Sequence, residues 1–196
     1  MYCKRNYRVL VCFESEGGFG GFPYMIIRQA RLDDATDIAC IHVETWRDTY
    51  AGIVPANYLD RLSIEQRQNR WTAILTRSTD KTIVLTDTSE RVVGWASYGP
   101  SRDDDGNGHG ELYALYLTST DWGKGYGRQL ILAVENRLTE LGFANFTLWV
   151  LEQNARARRF YKRAGYQYDG SRKTIVIDEA DLFELRYAKN RSRGYP

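Results

Sequence analysis

In the stretch TSTDWGKGYGRQLILAVENRL, Thr118 to Leu138, glycines stand at 123, 125 and 127 and an amphipathic helical pattern begins directly after them. Glycine inside a regular element costs about 0.5–1 kcal/mol relative to alanine, so three of them at alternate positions need a local reason. One such reason is close approach of a ligand to main-chain amides. The first amides of a helix have no intrahelical partner and lie at the positive end of its dipole, which suits an anion such as phosphate. The spacing here is GxGxG. A dinucleotide-binding turn reads GxGxxG, and a P-loop ends in GK[ST], whereas Lys124 is followed by Gly125. The stretch therefore predicts a phosphate-binding turn of another kind, with a tight strand-to-helix connection packed by glycine as the alternative.

The remaining chemistry-bearing residues narrow the field. The two histidines, His42 and His109, lie far apart in the chain, which argues against a histidine-based metal site. Cys3, Cys12 and Cys40 are odd in number and form no CxxC pair, so they read as reduced thiols of a cytoplasmic protein. With 27 basic and 25 acidic residues the net charge is +2, which leaves no electrostatic footprint for nucleic acid or an anionic membrane. No apolar run approaches the roughly 20 residues of a membrane span. The apolar run VLVCF near the N-terminus is shorter than the core of a signal peptide.

The elements that must position these residues follow from periodicity. The chain has 196 residues, 43% of them apolar, enough for one domain with a sizeable core. Residues 1–24 contain the Gly-rich EGGFGGFP and are expected to be a disordered extension, with an edge strand YRVLVCF as the alternative. Regular patterning starts at Met25 with the strand MIIRQA, so the domain is expected to run over 25–189, with a polar tail at 190–196. DDATDIACIHVETWRDTY has helical spacing, GIVP breaks it, and SIEQ resembles a capping box that opens a second long helix to about Arg77. KTIVLTD and RVVGWASYG read as a hairpin, ELYALYL as the strand before the glycine turn, FTLWVLE as a strand buried on both faces. NARARRFYKRAG is a helix stopped by Gly165, and YQYDG, KTIVI and DLFELRYAK are closing strands. The order predicts a mixed α/β domain around a single sheet.

The runs ELYALYLTSTDWGKGYGRQLI and LWVLEQNARARRFYKRAGYQ together resemble the GNAT family of N-acetyltransferases. That family's motif Q/R-x-x-G-x-G/A is matched by Gly125 and Gly127, with Trp122 standing where Gln or Arg is usual. Its second motif, N-x-x-A-x-x-F-Y-x-x-x-G-[FY], is met by Asn154, Ala157, Phe160, Tyr161, Gly165 and Tyr166. The resemblance implies a twisted, mostly antiparallel sheet flanked by helices, its central strands splayed to admit acetyl-coenzyme A. It implies that the backbone of Trp122, Gly123, Lys124, Gly125, Tyr126, Gly127 and Arg128 cradles the pyrophosphate, with Lys124 and Arg128 either adding charge or lying solvated at the surface.

By the same resemblance, main-chain groups of Leu115, Tyr116 and Leu117 bond the pantetheine arm, and the Leu117 amide serves as an oxyanion donor. Asn154 bonds the arm or an ordered water, and also suits a helix N-cap. Tyr161 matches the acid that protonates the departing thiolate. Glu111 stands where several members carry a general base, with an exposed strand-end carboxylate as the alternative and His109 and Glu44 as lesser candidates. The acceptor pocket is expected between the first helices and the last hairpin, where Trp46, Asp48, Tyr50 and Tyr58 suit an amine as well as helix packing. The implied activity is transfer of acetyl from acetyl-CoA, as cosubstrate, to a primary amine, without metal, nucleic acid or membrane; a homodimer stays open. Polyamine, aminoglycoside, amino acid and protein N-terminus all fit as acceptors. A non-catalytic acyl-CoA-binding regulator is the alternative, but such a binder has no use for Tyr161 or Glu111.

Overall fold

A computed structural model describes residues 9–10, 25–77, 81–106 and 108–190. In chain order the elements are β1 (Val9–Leu10), β2 (Ile26–Gln29), α1 (Ala35–Tyr50), α2 (Ala56–Asp60), α3 (Ile64–Leu75), β3 (Thr82–Thr86) and β4 (Val92–Pro100). They continue with β5 (His109–Leu117), α4 (Tyr126–Glu140), β6 (Asn145–Leu151), α5 (Ala155–Arg163), β7 (Gln167–Ile177) and β8 (Ala180–Asn190). The strands form one sheet in the order β1-β2-β3-β4-β5-β6-β8-β7. Every neighbouring pair is antiparallel except β5 and β6.

Period-two alternation divides the core between the two faces of this sheet. On β3, Val84 faces a layer made by Ile38 and Ala39 of α1 and Trp71 of α3, joined by Trp95 of β4. Its neighbours Ile83 and Leu85 face the opposite layer, built on Leu130, Ile131, Val134 and Leu138 of α4. All five residues of β3 are buried, as a strand covered on both faces requires. A third cluster, Val54, Leu59, Leu151 and Leu182, fills the end of the sheet beneath the α1–α2 loop and the β7–β8 hairpin. The expected cap of α3 is present: Ser63 accepts a hydrogen bond from the Gln66 amide at 3.2 Å.

β5 and β6 pair in parallel from His109 opposite Asn145 to Leu112 opposite Leu148, and no further. β5 runs on to Leu117 along β4, and β6 to Leu151 along β8. The sheet is thus split at its centre, as the splayed architecture requires.

Three details depart from the sequence reading. YQYDG and KTIVI are one strand, β7, whose register shifts between Tyr168 and Arg172 where Gly170 has φ +98°. A left-handed glycine there bulges the strand without ending it. α3 ends at Leu75, short of Arg77. Val9 and Leu10, inside the segment expected to lie apart from the domain, pair with Ile27 and Ile26 at the sheet edge; the rest of residues 1–24, and 191–196 of the tail, lie outside the described residues.

His42 sits among rings in the α1–α3 layer, stacked on Tyr116 with centroids 5.3 Å apart. Its Nδ1 accepts from the Trp71 indole N–H at 3.4 Å, which requires an unprotonated nitrogen. Burial, with the charges of Arg67 and Arg70, pushes its pKa down to about 3. The unfolded chain therefore takes up this proton first as pH falls, and stability drops from about pH 6.5 downward. We expect this group alone to remove about 1.4 kcal/mol per pH unit below that point. His42→Gln keeps an acceptor for Trp71 and should flatten the dependence between pH 7 and 5, as read by urea denaturation.

Candidate active site

A cavity of about 570 Å³ lies in the split between β5 and β6, bounded by α1, the glycine turn, α5 and the β7–β8 hairpin. Its walls begin with main chain. The Thr118 amide donates to the Val93 carbonyl on β4 at 3.0 Å. Because successive amides of a strand point to opposite sides, the Tyr116 main chain is also turned toward β4. The amides of Leu115 and Leu117 point the other way, into the split. Tyr116, expected to offer main-chain groups to a ligand, is therefore corrected: β4 takes them, and its side chain lines the cavity instead. The Leu117 carbonyl accepts from Trp122 Nε1 at 3.0 Å and Thr45 Oγ1 at 3.2 Å. Trp122, in the position where the motif has Gln or Arg, thus ties the turn to the end of β5.

The three glycines have different reasons. Gly123 and Gly125 have φ of +80° and +83°, and a β-carbon at either would meet nothing within 4 Å. Backbone conformation demands glycine there. A β-carbon on Gly127 would lie 3.2 Å from the Phe160 ring and 3.4 Å from Leu117, so Gly127 lets α4 pack closely on α5. Gly125 caps α4 and its carbonyl accepts from the Arg128 and Gln129 amides. The amides just ahead of these have no intrahelical partner, the feature that suits a helix N-terminus to an anion.

Of the expected cations, Arg128 lines the cavity. Lys124 does not, because its ammonium lies 2.9 Å from Asp121. Arg156 takes its place: it lines the cavity with its guanidinium 3.6 Å from the Trp122 ring centroid. Its position in the first turn of α5, two residues after Asn154, was the available signal. Tyr126 is a core residue, 5% exposed, and contributes to the turn through its main chain.

Asn154 accepts from the Ala157 amide at 3.0 Å as the cap of α5, and it also lines the cavity. Two helical turns further on, Tyr161 lines the cavity between Phe160 and Tyr166, at centroid distances of 5.1 and 6.3 Å. Burial holds its phenol well above the ordinary tyrosine value, so it remains a proton donor at neutral pH.

Glu111 is 1% exposed and absent from the cavity wall. Its carboxylate accepts from the Arg102 main-chain amide at 2.9 Å and from its guanidinium at 2.5 and 3.2 Å. At this point β5 is still paired on both sides, with Gly99 and Thr147. The carboxylate expected as a base is thus ion-paired with Arg102 and stands outside the cavity wall. Glu111→Gln should cost about 1–3 kcal/mol of stability through its charge-assisted bonds, with acetyl transfer close to wild type, as read by thermal denaturation alongside thiol release. His109 and Glu44 do not line the cavity either.

One end of the cavity is built on one face of α1, where Thr45, Trp46, Thr49 and Tyr50 recur at helical spacing. Trp46 Nε1 donates to the Tyr116 hydroxyl at 3.0 Å, and its ring meets Tyr50 edge-on at 4.9 Å. Tyr58 packs behind Trp46 at 6.1 Å, and Asp48 is exposed; neither lines the cavity. The carboxylate that does line it is Glu184 of β8. Sequence reasoning missed it, because which way a β8 side chain faces depends on the register of the last hairpin. Among the described residues, no group of three or more His, Cys, Asp or Glu is placed to hold a metal, and no helix is long and apolar enough to cross a membrane.

The chain is similar to an uncharacterized N-acetyltransferase of Bacillus subtilis, YuaI, at 38% identity over 128 residues, 65% of this chain and 72% of that protein. A probable N-acetyltransferase of Mycobacterium tuberculosis, Rv2775, is 25% identical over 74% of this chain and 80% of its own length. In fold the chain matches the PaiA N-acetyltransferase of Thermoplasma acidophilum, solved in complex with coenzyme A. The TM-score is 0.68 at 21% identity, over 85% of this chain and 98% of that one. The model of the acetyltransferase (GNAT) family matches residues 41–166, from within α1 to the start of β7. A match of that extent makes this chain a member of the GNAT family of acetyltransferases.

Proposed function

We propose that the cavity holds acetyl-coenzyme A and a primary amine together, and that the acetyl group passes directly from one to the other. The observation that carries this reading is the split sheet, which turns the amides of Leu115 and Leu117 toward a cavity ending at the left-handed glycine turn. Acetyl-CoA fits these groups. Its pyrophosphate meets the free amides before α4 and the charge of Arg128 and Arg156. Its pantetheine arm, an extended chain of amides, takes the place of the missing strand between β5 and β6. Asn154 lies along that path.

The amine nitrogen attacks the thioester carbonyl, whose oxygen draws charge toward the Leu117 amide. The C–N bond forms, the C–S bond breaks, and the Tyr161 phenol gives its proton to the thiolate. The phenolate is restored by a proton from the new amide nitrogen. The proposal also puts the chain in the cytoplasm, a reducing compartment in which the free Cys40 stays a thiol.

Thermal shift with coenzyme A, ATP and NAD, followed by thiol release from acetyl-CoA with an amine panel, tests the reading. A ligand bound only by the native state at 100 times its Kd stabilises by about 2.7 kcal/mol. Protection by coenzyme A alone and thiol release with at least one amine are expected. Equal protection by ATP or NAD, or no release with any amine, overturns it.

A further inference from the structure

We infer that Glu184 is the carboxylate that binds the acceptor's ammonium and takes its proton, and that the acceptor is an amine with one cationic centre on an apolar stem. The inference rests on the acetyl-transfer reading above and deepens it.

Glu184 is the acidic side chain in the cavity wall. β8 places it opposite Leu151, at the open end of β6, and opposite Lys173 of β7. It lies on the same face as Leu182, toward the α1–α2 loop. Tyr50 and Tyr161 line the same cavity as Glu184. Around it the wall is apolar or aromatic, with Trp46, Tyr50, Leu151, Ile175 and Ile177. A single carboxylate at an apolar wall matches a single cation with an apolar stem. A polyamine would bring further ammonium groups with no second carboxylate in the wall to meet them.

The protein already places an ammonium here. Lys173 Nζ lies 3.3 Å from the Glu184 carboxylate and 3.9 Å from the Trp149 ring centroid. Carboxylate and indole thus form a cation seat. The Lys173 side chain is 41% exposed, so it is free to swing into solvent when another cation arrives. In the reaction the bound ammonium passes one proton to Glu184 and becomes the neutral nucleophile. The C–N bond forms and the C–S bond breaks as described above, and the proton on Glu184 leaves to water.

The test is steady-state thiol release by the full chain with acetyl-CoA and either 2-phenylethylamine or spermidine. We expect the first to have the higher kcat/KM. Glu184→Gln should lower kcat/KM for 2-phenylethylamine on the order of 10²-fold or more, as for loss of a general base, with thermal protection by coenzyme A retained. Lys173→Met should lower KM for the amine, because it removes a competing cation; a purely structural ion pair predicts no such gain. A preference for spermidine overturns the assignment of acceptor class. A Glu184→Gln protein that binds coenzyme A and turns over like wild type overturns the role of Glu184 and leaves the acetyl-transfer reading intact. Failure of every amine with wild-type protein overturns both.

Discussion

Gly125→Val is expected to abolish the thermal protection that coenzyme A gives this protein. Gly125 sits at φ +83° as the cap of α4, a conformation that a β-branched residue adopts only with strain. The strain of a left-handed non-glycine residue is about 1–2 kcal/mol, which the turn relieves by rotating its amides away from the phosphate position. Loss of stability alone would not identify the site, so a control with equal strain elsewhere is needed. Gly108 supplies it: its φ is +81°, a β-carbon there also meets nothing within 4 Å, and it lies in the loop before β5. Gly108→Val should lower the melting temperature comparably and keep the full coenzyme A shift. An unchanged shift in Gly125→Val would remove the phosphate from this turn.

The contrast between these glycines shows what a sequence can and cannot disclose. GxGxG marked a backbone of unusual freedom, and two of the three positions do have left-handed φ. Gly127 looks identical in the string but serves close packing against Phe160, 33 residues later in the chain. Local patterns placed α1, α4 and α5, because helical periodicity and caps such as Asn154 are written in adjacent residues. Tyr161 lines the cavity too, but it was the family motif that marked it, since periodicity alone reads it as a core tyrosine beside Phe160.

The carboxylates were not legible, and the cause is pairing over distance. Glu111 is claimed by Arg102 across a loop, a partnership that nothing in the strand pattern of ELYALYL announces. Asp48 shares a helix with Trp46 and Tyr50 but points off their face. Glu184 reaches the cavity only through the register of β8 against β6 and β7. A one-residue slip in that register would send it to the other face of the sheet.

Tyr161→Phe is the substitution expected to cost most in turnover. It keeps the ring, and with it the edge-on contacts to Phe160 and Tyr166, so folding and coenzyme A affinity should stay near wild type. What it removes is one hydroxyl in the cavity wall, held in its protonated form by burial. Expelling coenzyme A as a bare thiolate into a partly apolar cavity is unfavourable, because the charge leaves water without a partner. A positioned acid contributes on the order of 10²–10⁴-fold to such a step. If the Tyr161 proton moves as the C–S bond breaks, the same factor should appear in kcat, with KM for acetyl-CoA little changed. An acetyl donor whose leaving thiol is intrinsically more acidic needs the proton less, so the ratio of wild-type to variant rate should shrink with that donor. Near-normal turnover with acetyl-CoA would return Tyr161 to the packing layer between α5 and the sheet, and the proton would have to come from water.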